Sequence, residues 1–242
     1  MRSSPSKIAL MTIFVFAITL FLSCADNQYM EYSSIEELFP STNGSSQIVY
    51  GTPVTYEGEI YRTVIIGSQT WFQRNLNYAA KGSKCYDNDP ANCATYGRLY
   101  KWATAMNIDE KYIDEKWGGS DVNHKGICPK GWHIPSDAEW TTLTNFVGNN
   151  VGDKLKATSG WKHRFDNSPA NGTDTYGFSA LPSGWFNEYM DFENLGHEGC
   201  WWTASEYDNS HAYERYMGYY FEFGWWPDGS KHDGRSVRCI KD

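Results

Sequence analysis

The stretch Cys128-Pro-Lys-Gly-Trp-His-Ile-Pro-Ser-Asp-Ala-Glu-Trp140 predicts a helix that begins just after a cysteine. Ser136 and Glu139 have the spacing of a capping box, in which each side chain pairs with a backbone N–H left free at a helix N-terminus. The next residues recur at the spacing of a helix, which places Trp140, Leu143, Thr144 and Val147 on one face. Gly148 supplies a stop signal, so the predicted helix ends near Val147.

Three further segments accompany this stretch along the chain: Ile66-Gly-Ser-Gln-Thr-Trp71 with Asn75-Leu76, Gly177-Phe-Ser-Ala-Leu-Pro182, and Ser236-Val-Arg-Cys-Ile-Lys-Asp242. Together the four segments resemble the signature of the Fibrobacter succinogenes major paralogous domain, and they extend over about residues 49–242. The resemblance implies a fold similar to C-type-lectin-like domains and to formylglycine-generating enzymes. It implies a fold rather than an activity.

Residues 1–23 have the features of a bacterial export signal. Two basic residues precede an apolar run from Ile8 to Leu22, which is too short for a comfortable bilayer span. The run ends at Cys24 in a pattern that resembles a lipoprotein cleavage box. We therefore expect acyl chains on Cys24 to hold the protein on the cell envelope, at the outer membrane or the cell surface. An ordinary signal peptide with a chance cysteine, or an uncleaved anchor, would explain the same run.

Two regions are predicted after the signal. Residues 24–48 contain Asn, Ser, Gly and Thr with few large apolar side chains, which favours a flexible tether. Residues 49–242 have the length of a single domain, and no second linker interrupts them. Cleavage before Cys24 would leave 19 basic against 29 acidic residues, a net charge of −10. Nucleic-acid binding requires a basic footprint, so this class of partner is excluded.

Export also predicts disulfides, because these bonds persist outside the cytoplasm. Cys128, just before the helix, is predicted to pair with Cys239 near the C-terminus. Cys85 and Cys93 close a polar loop and form the second predicted bridge. Cys200 is left over at the start of an apolar strand, where a buried thiol behaves as a small hydrophobe.

The predicted domain consists of short strands and two helices. Strand patterns occur at residues 54–56, 60–66, 70–73, 177–181, 201–204, 215–223 and 235–240. The other helix is predicted from Tyr96 to Met106, because the apolar residues of this segment have helical spacing. Two helices among short antiparallel strands and long loops predict an α+β domain, in agreement with the C-type-lectin-like fold that the resemblance implies.

The chain contains 11 Trp, 17 Tyr and 12 Phe, most of which are expected to fill the core of a loop-rich domain. In lectin-like folds the binding surface is the long loop between the middle strands, and the resemblance places that loop between Leu181 and Trp201. The candidate ligand-binding residues in this loop are Trp185, Phe186, Tyr189, Asp191 and Phe192. The turn signal Pro-Asp-Gly would present an opposite wall that carries Trp225, Trp226 and Asp228. Aromatic rings that alternate with hydrogen-bond acceptors suit a polar, ring-containing ligand. The alternative is that these rings pack on the core and hold the loops against it.

Patterns for catalysis or metal binding are weak in this chain. The six histidines lack metal-ligand spacing, and His133 is interpreted as a hydrogen-bonded structural residue rather than a base. Formylglycine-generating enzymes use a close pair of redox-active cysteines near the C-terminus, whereas Cys200 and Cys239 are far apart in the sequence. The calcium-binding motifs of sugar-binding C-type lectins are missing as well. No cofactor or metal is therefore expected.

Three functions remain open. The first is a surface-displayed, lipid-anchored binding or adhesion module whose ligand is a glycan or a protein. The second is an enzyme of the formylglycine-generating type or a degenerate relative of one, and the third is a structural protein of the envelope. A reactive thiol in a pocket would favour the enzyme, and exposed aromatic side chains on a concave face would favour the binding module.

Overall fold

The structure is a computed structural model that describes residues 48–163, 167–219 and 223–242. The expected signal peptide, the expected lipidation site Cys24 and all but the last residue of the expected tether lie outside the described residues. The described residues form one compact unit. None of the helices among them is long and apolar enough to cross a membrane.

Four α-helices and ten β-strands occur among the described residues. The helices are α1 (Pro90–Tyr96), α2 (Trp102–Met106), α3 (Asp137–Val147) and α4 (Val151–Leu155). The strands are β1 (Val49–Tyr56), β2 (Glu59–Ile66), β3 (Gln69–Phe72), β4 (Trp132–His133), β5 (Trp185–Phe186), β6 (Phe192–Glu193), β7 (Glu198–Glu206), β8 (His211–Gly218), β9 (Gly224–Ser230) and β10 (Ile240–Lys241). The strands pair antiparallel in three sheets, which agrees with the predicted α+β class but adds two helices to the predicted pair.

The largest sheet has five strands in the order β1-β2-β3-β10-β4. The turns that connect β1 to β2 and β2 to β3 lie at Glu57-Gly58 and Gly67-Ser68. The last strand lies between β3 and β4, because Ile240 pairs with Trp71 on one side and with His133 on the other. The end of the domain therefore closes the sheet that its first strands open.

The second sheet has three strands in the order β7-β8-β9, and its strand β7 is buried over seven consecutive residues. The segment Gly224–Ser230 forms β9 and pairs with β8, so the predicted Pro-Asp-Gly turn is wrong. Pro227 fits in β9 because this is an outer strand, and because its register with β8 shifts between Ala212 and Glu214. The predicted wall for a ligand is therefore part of a sheet rather than the tip of a loop.

The other strands predicted in the second half of the chain differ in extent from those observed. Residues 201–204 lie within β7, as predicted. Residues 177–181 form only one isolated bridge, between Ala180 and Lys156. The strand predicted at 215–223 begins earlier, at His211, and ends at Gly218. The segment 235–240 forms isolated bridges before β10 begins.

The helix predicted from Tyr96 to Met106 is wrong in its first half. Gly97 has a φ of 78° and follows the end of α1, and a Cβ at this position would lie 2.8 Å from the Asn75 Cβ. The next residues pair across the fold, including a bridge between Leu99 and Lys84. The observed helix α2 covers only the last five residues of the predicted one. Pairing with distant residues therefore took precedence over the local helical spacing.

The helix α3 begins with the predicted capping box. The Glu139 N–H donates to the Ser136 hydroxyl at 3.3 Å, and the Ser136 N–H donates to the Glu139 carboxylate at 2.8 Å. The predicted apolar face is buried at Trp140, Leu143 and Val147. This face anchors the helix on the core, because burying each of these side chains contributes about 1.5–3 kcal/mol.

A buried hydrogen-bonded cluster joins distant parts of the chain. The Asn75 side-chain oxygen accepts from the Trp201 Nε1 at 2.8 Å and from the Arg238 Nη2 at 2.7 Å. The Asn75 amide group donates to the Ser236 hydroxyl at 3.2 Å. The Arg238 guanidinium also donates to the Phe178 carbonyl and lies 4.3 Å from the centre of the Phe178 ring. Three of the four sequence segments quoted above therefore meet at one point.

Both predicted disulfides are present in the structure. The Cα atoms of Cys85 and Cys93 are 4.9 Å apart, and those of Cys128 and Cys239 are 5.9 Å apart. Cys200 is free and buried. The bridge between Cys128 and Cys239 precedes β4 on one side and β10 on the other, so it joins the segments that lead into two neighbouring strands.

Replacing Cys128 and Cys239 together with Ala should lower the free energy of unfolding by about 5 kcal/mol, because the bridge closes a loop of 111 residues. The matched variant Cys85→Ala/Cys93→Ala opens a loop of 8 residues and should lose only about 2.5 kcal/mol. Chemical denaturation of the wild type and the two variants measures both losses. Equal losses would contradict the loop-length explanation.

Candidate functional site

The predicted ligand loop contains the two-stranded hairpin β5–β6. Phe186 lies in β5 and pairs with Phe192 in β6. The Phe186 side chain is fully buried and packs with Tyr86 and Leu99. Gly234 lies against it so closely that a Cβ at this position would come within 1.9 Å of the Phe186 ring. Phe186 is therefore a core residue and presents no face to a ligand, and its neighbour Phe192 packs on the same cluster.

Trp185 stabilises the base of this hairpin. Its Nε1 donates to the Glu198 carboxylate at 3.1 Å, and its ring lies 4.4 Å from the Arg235 guanidinium carbon. Glu198 also accepts from Asn194 at 2.8 Å and from the Tyr216 hydroxyl at 3.2 Å. The half-buried indole is therefore held on two sides by charged groups, which leaves only part of its surface for another molecule.

Residues 187–191 form the hairpin tip, which connects β5 to β6. The Asn187 side-chain oxygen accepts from the backbone N–H groups of Tyr189 at 2.9 Å and Asp191 at 3.0 Å, which holds the turn together. The side chains of Tyr189 and Met190 are 77 % and 41 % exposed, and Asp191 is exposed as well. The tip therefore displays an aromatic ring, a thioether and a carboxylate to solvent.

The second predicted wall of the ligand site lies away from the hairpin tip. Trp225, Trp226 and Asp228 belong to β9, the outer strand of the second sheet. The hairpin base instead meets the opposite edge of that sheet, through the bridge between Gly184 and Gly199 in β7. β8 separates the two candidate surfaces, so the structure does not join them in one groove through the sheet.

Beside the hairpin tip the structure contains an open cleft of about 640 Å³. We call it the lysine cleft, and the residues that line it are Tyr78, Ala80, Lys81, Gly82, Lys84, Lys101, Ala103, Thr104, Asn107, Ile108, Glu110, Ile127 and Met190. Its lining comes from the 78–84 turn, the helix α2 and the residues after α2. The tip of the predicted ligand loop therefore contributes to the rim of the cleft through Met190.

Three lysines face this cleft against a single carboxylate, that of Glu110. Lys81 is exposed, whereas Lys84 and Lys101 are half-buried. Among the described residues, these three lysines form no ion pair and no side-chain hydrogen bond. Their charges are therefore satisfied by solvent and remain available to an anionic group.

The backbone around the lysine cleft is held by buried hydrogen bonds. The Lys84 N–H donates to the Leu99 carbonyl at 3.0 Å, and the Leu99 N–H donates back at 2.9 Å. The hydroxyl of the buried Tyr100 donates to the carbonyl of Tyr78 at 2.8 Å. These bonds hold the 78–84 turn beside the residues that lead into α2. The backbone that carries Lys84 and Lys101 is therefore held in place.

Comparison with known sequences identifies the family. Residues 64–241 match the profile of the Fibrobacter succinogenes major domain. The chain belongs to this family. The matched region begins within β2 and contains all but the final residue of the four segments quoted above. The comparison with curated proteins gave no match, and neither did the comparison with solved structures.

The sequence of this Fibrobacter succinogenes major domain does not by itself indicate the lysine cleft. Lys81 and Lys84 are close in sequence, but Lys101 is distant, and the chain as a whole is acidic. The bridge between Lys84 and Leu99 is what brings the two groups of lysines to one place. The available signal was a local excess of lysine in an acidic chain, which is weak without knowledge of that pairing.

His133 and Cys200 were the titratable groups that a catalytic role would use. Both ring nitrogens of the buried His133 lie 2.8 Å from a carboxylate oxygen, Nδ1 from Asp242 and Nε2 from Glu139. This geometry fits the interpretation of His133 as a structural residue that ties the helix start to the C-terminus. Cys200 is 2 % exposed, and burial raises the pKa of its thiol well above the ordinary value, which makes it a poor nucleophile. No cluster of metal-binding side chains occurs among the described residues.

The His133 interactions predict how stability depends on pH. Burial opposes the charge on the ring, but the hydrogen bonds to Glu139 and Asp242 outweigh it and raise the pKa of His133 above 6.5. Burial likewise disfavours the Glu139 carboxylate, but the bonds from His133 and Ser136 lower the pKa of Glu139 below 4.5. The stabilisation by His133 is therefore full below pH 6.5 and is lost as the pH rises through the raised pKa. At acidic pH the same stabilisation is lost as Glu139 becomes protonated.

We expect His133→Gln to lower the free energy of unfolding by about 1–2 kcal/mol near pH 5.5, since Asp242 is half-exposed and contributes less than a buried partner. The loss should shrink as the pH rises above 6.5 and through the raised pKa of His133. Urea denaturation across this range measures it. His232→Gln is the control, because it removes an exposed pair with Asp114 of the same 2.8 Å length and should change little at any pH. A loss for His133→Gln that does not vary with pH would contradict the charged pairing.

Proposed function

We propose that this protein is a lipid-anchored binding module of the bacterial cell envelope, with a C-type-lectin-like fold. In this proposal, Cys24 carries the lipid, residues 25–48 lift the domain from the membrane, and the domain binds a ligand at the lysine cleft and the hairpin tip. The observation that carries the proposal is the lysine cleft itself, a concave site with unpaired lysines and an exposed rim at Met190.

Two features support a lectin-like arrangement. The last strand, β10, returns between β3 and β4, so the two ends of the domain meet in one sheet. The disulfide from Cys128 to Cys239 joins the segments on either side of this closure. Between them, the turns and the hairpin that surround the lysine cleft form the loop-rich surface on which such folds place their binding sites.

The site favours binding over oxidation as the activity. A thiol oxidase of the formylglycine-generating type requires an accessible, reactive cysteine pair. Here four cysteines form disulfides, and the thiol of Cys200 is buried. The lysine cleft contains none of these cysteines. Its chemistry is that of recognition by charge, hydrogen bonds and apolar contact.

The binding proposal predicts different effects for neighbouring hairpin residues. The full chain, purified in detergent, is screened on an array of neutral and charged glycans and on a set of envelope proteins. Tyr189→Ala/Met190→Ala should reduce binding to the captured ligand at least about tenfold and leave the melting temperature nearly unchanged, because both side chains are exposed. Phe186→Ala should instead cost about 3–5 kcal/mol of stability, because Phe186 is a core residue.

The control for this experiment is Tyr207→Ala, which removes another exposed tyrosine from the turn after β7. It should alter neither binding nor stability by much. Capture of a ligand with equal affinity by the wild type and by Tyr189→Ala/Met190→Ala would show that the binding face lies elsewhere. A chain that captures nothing from either set would overturn the proposed function.

The anchor is tested separately in a bacterial host that processes lipoproteins. The wild type should partition into the detergent phase after phase separation, because two or more acyl chains give stable membrane anchoring. Cys24→Ala should lose the lipid and shift in both migration and partition. Cys200→Ala, which removes a thiol from the folded domain, should partition like the wild type. Identical partition of the Cys24→Ala variant and the wild type would exclude lipidation.

A further inference from the structure

We propose that the lysine cleft binds an acidic oligosaccharide, that is, a short chain of sugars that carries carboxylate or sulfate groups. This inference rests on the proposed binding function and names the ligand class. It starts from the charge of the cleft, where Lys81, Lys84 and Lys101 face one carboxylate in a chain whose formal net charge is −8. The cleft is thus a positive site on an acidic protein.

Three unpaired lysines line one cleft with a single carboxylate, so an anion bound there meets an excess of positive charge, which acts over about 8 Å at physiological ionic strength. Such an arrangement lowers its own free energy by taking up an anion. Two of the lysines are half-buried, so their interaction with an anion is less screened by solvent than that of fully exposed side chains. The charge pattern therefore favours an anionic ligand over a neutral one.

The size and lining of the cleft favour a sugar chain over a small inorganic anion. Its volume of about 640 Å³ lies in the range of sites that hold an organic ligand of about 300–1,000 Å³. Thr104 and Asn107 supply hydroxyl and amide groups for sugar hydroxyls, and Tyr78 supplies a ring edge or face. Ile108 and Met190 supply the apolar contact that the C–H faces of a sugar ring require.

The backbone of the cleft argues against an acidic peptide that binds by strand addition. In that mode an extended peptide pairs with the free edge of a sheet. None of the residues that line the lysine cleft belongs to one of the ten strands, and the backbone N–H and carbonyl of Lys84 are already paired with Leu99. Recognition therefore depends on side chains, which suits a ligand with many hydroxyl groups and a few charges.

Lysine acts as a point charge and accepts carboxylate and sulfate alike, so the probes carry one or the other group. Isothermal titration of the full chain in detergent uses three matched probes: a galacturonate trisaccharide, a sulfated galactose trisaccharide and a neutral galactose trisaccharide. A pentaglutamate peptide is the fourth probe. We expect at least one acidic trisaccharide to bind, and the neutral trisaccharide and the peptide to bind at least about tenfold more weakly.

Lys84→Gln/Lys101→Gln should weaken binding of the acidic trisaccharide about tenfold or more, with an unchanged melting temperature. The matched control Lys116→Gln/Lys125→Gln removes the same charge from exposed lysines outside the cleft and should retain binding within about threefold. Raising the salt concentration should weaken the wild type more than the cleft variant, since the cleft variant has lost the charges that salt screens.

Several results would overturn the inference. Equal binding of the neutral trisaccharide, unaffected by Lys84→Gln/Lys101→Gln, would leave a binding module whose ligand is not acidic. Equal binding of the pentaglutamate peptide would assign the cleft to acidic proteins. Binding by none of the acidic trisaccharides would reject the ligand class, and the proposed function would then be judged by the array and the hairpin variants alone.

Discussion

The structure depends on the buried pairing of Asn75 with Arg238 and Trp201. One side-chain oxygen accepts hydrogen bonds from both partners, and the guanidinium lies against the Phe178 ring. Burial lowers the pKa of Arg238 to about 9, which shows that the site is costly for a charge. A buried charge is tolerated only when its donors are satisfied, and removal of one partner typically costs about 3–5 kcal/mol. The cluster therefore specifies one arrangement of four distant segments and penalises alternatives.

The proposed binding surface follows from that arrangement. The chain leaves Asn75 and continues into the 78–84 turn, so the position of the cluster sets where this wall of the lysine cleft begins. On the other side, the Tyr100 backbone pairs with Arg235, whose guanidinium lies under the Trp185 ring at the base of the hairpin. Rigid pairing in the interior thus holds irregular turns at fixed positions on the surface, which is how loop-rich domains build binding sites.

Local sequence patterns predict an element correctly where the interacting residues lie within that element. The α3 start was predictable because the capping box and the apolar face both act within one helix, and the structure contains both. The segment 96–106 had an equally clear helical spacing, yet only its second half is helical. The difference is that Leu99 and Tyr100 pair with Lys84 and Arg235, residues that the spacing of the segment cannot indicate.

By itself the sequence determined the α+β class, the turns of the first hairpins, the capped helix and the two disulfide pairs. Each of these depends on residues that are adjacent or on a small number of cysteines, so few alternatives compete. Only the tertiary structure decided that Pro227 lies in a strand, that Phe186 belongs to the core and that three lysines meet in one cleft. These outcomes depend on pairings between residues far apart in the chain, where the energy of burial outweighs the local preference of a segment.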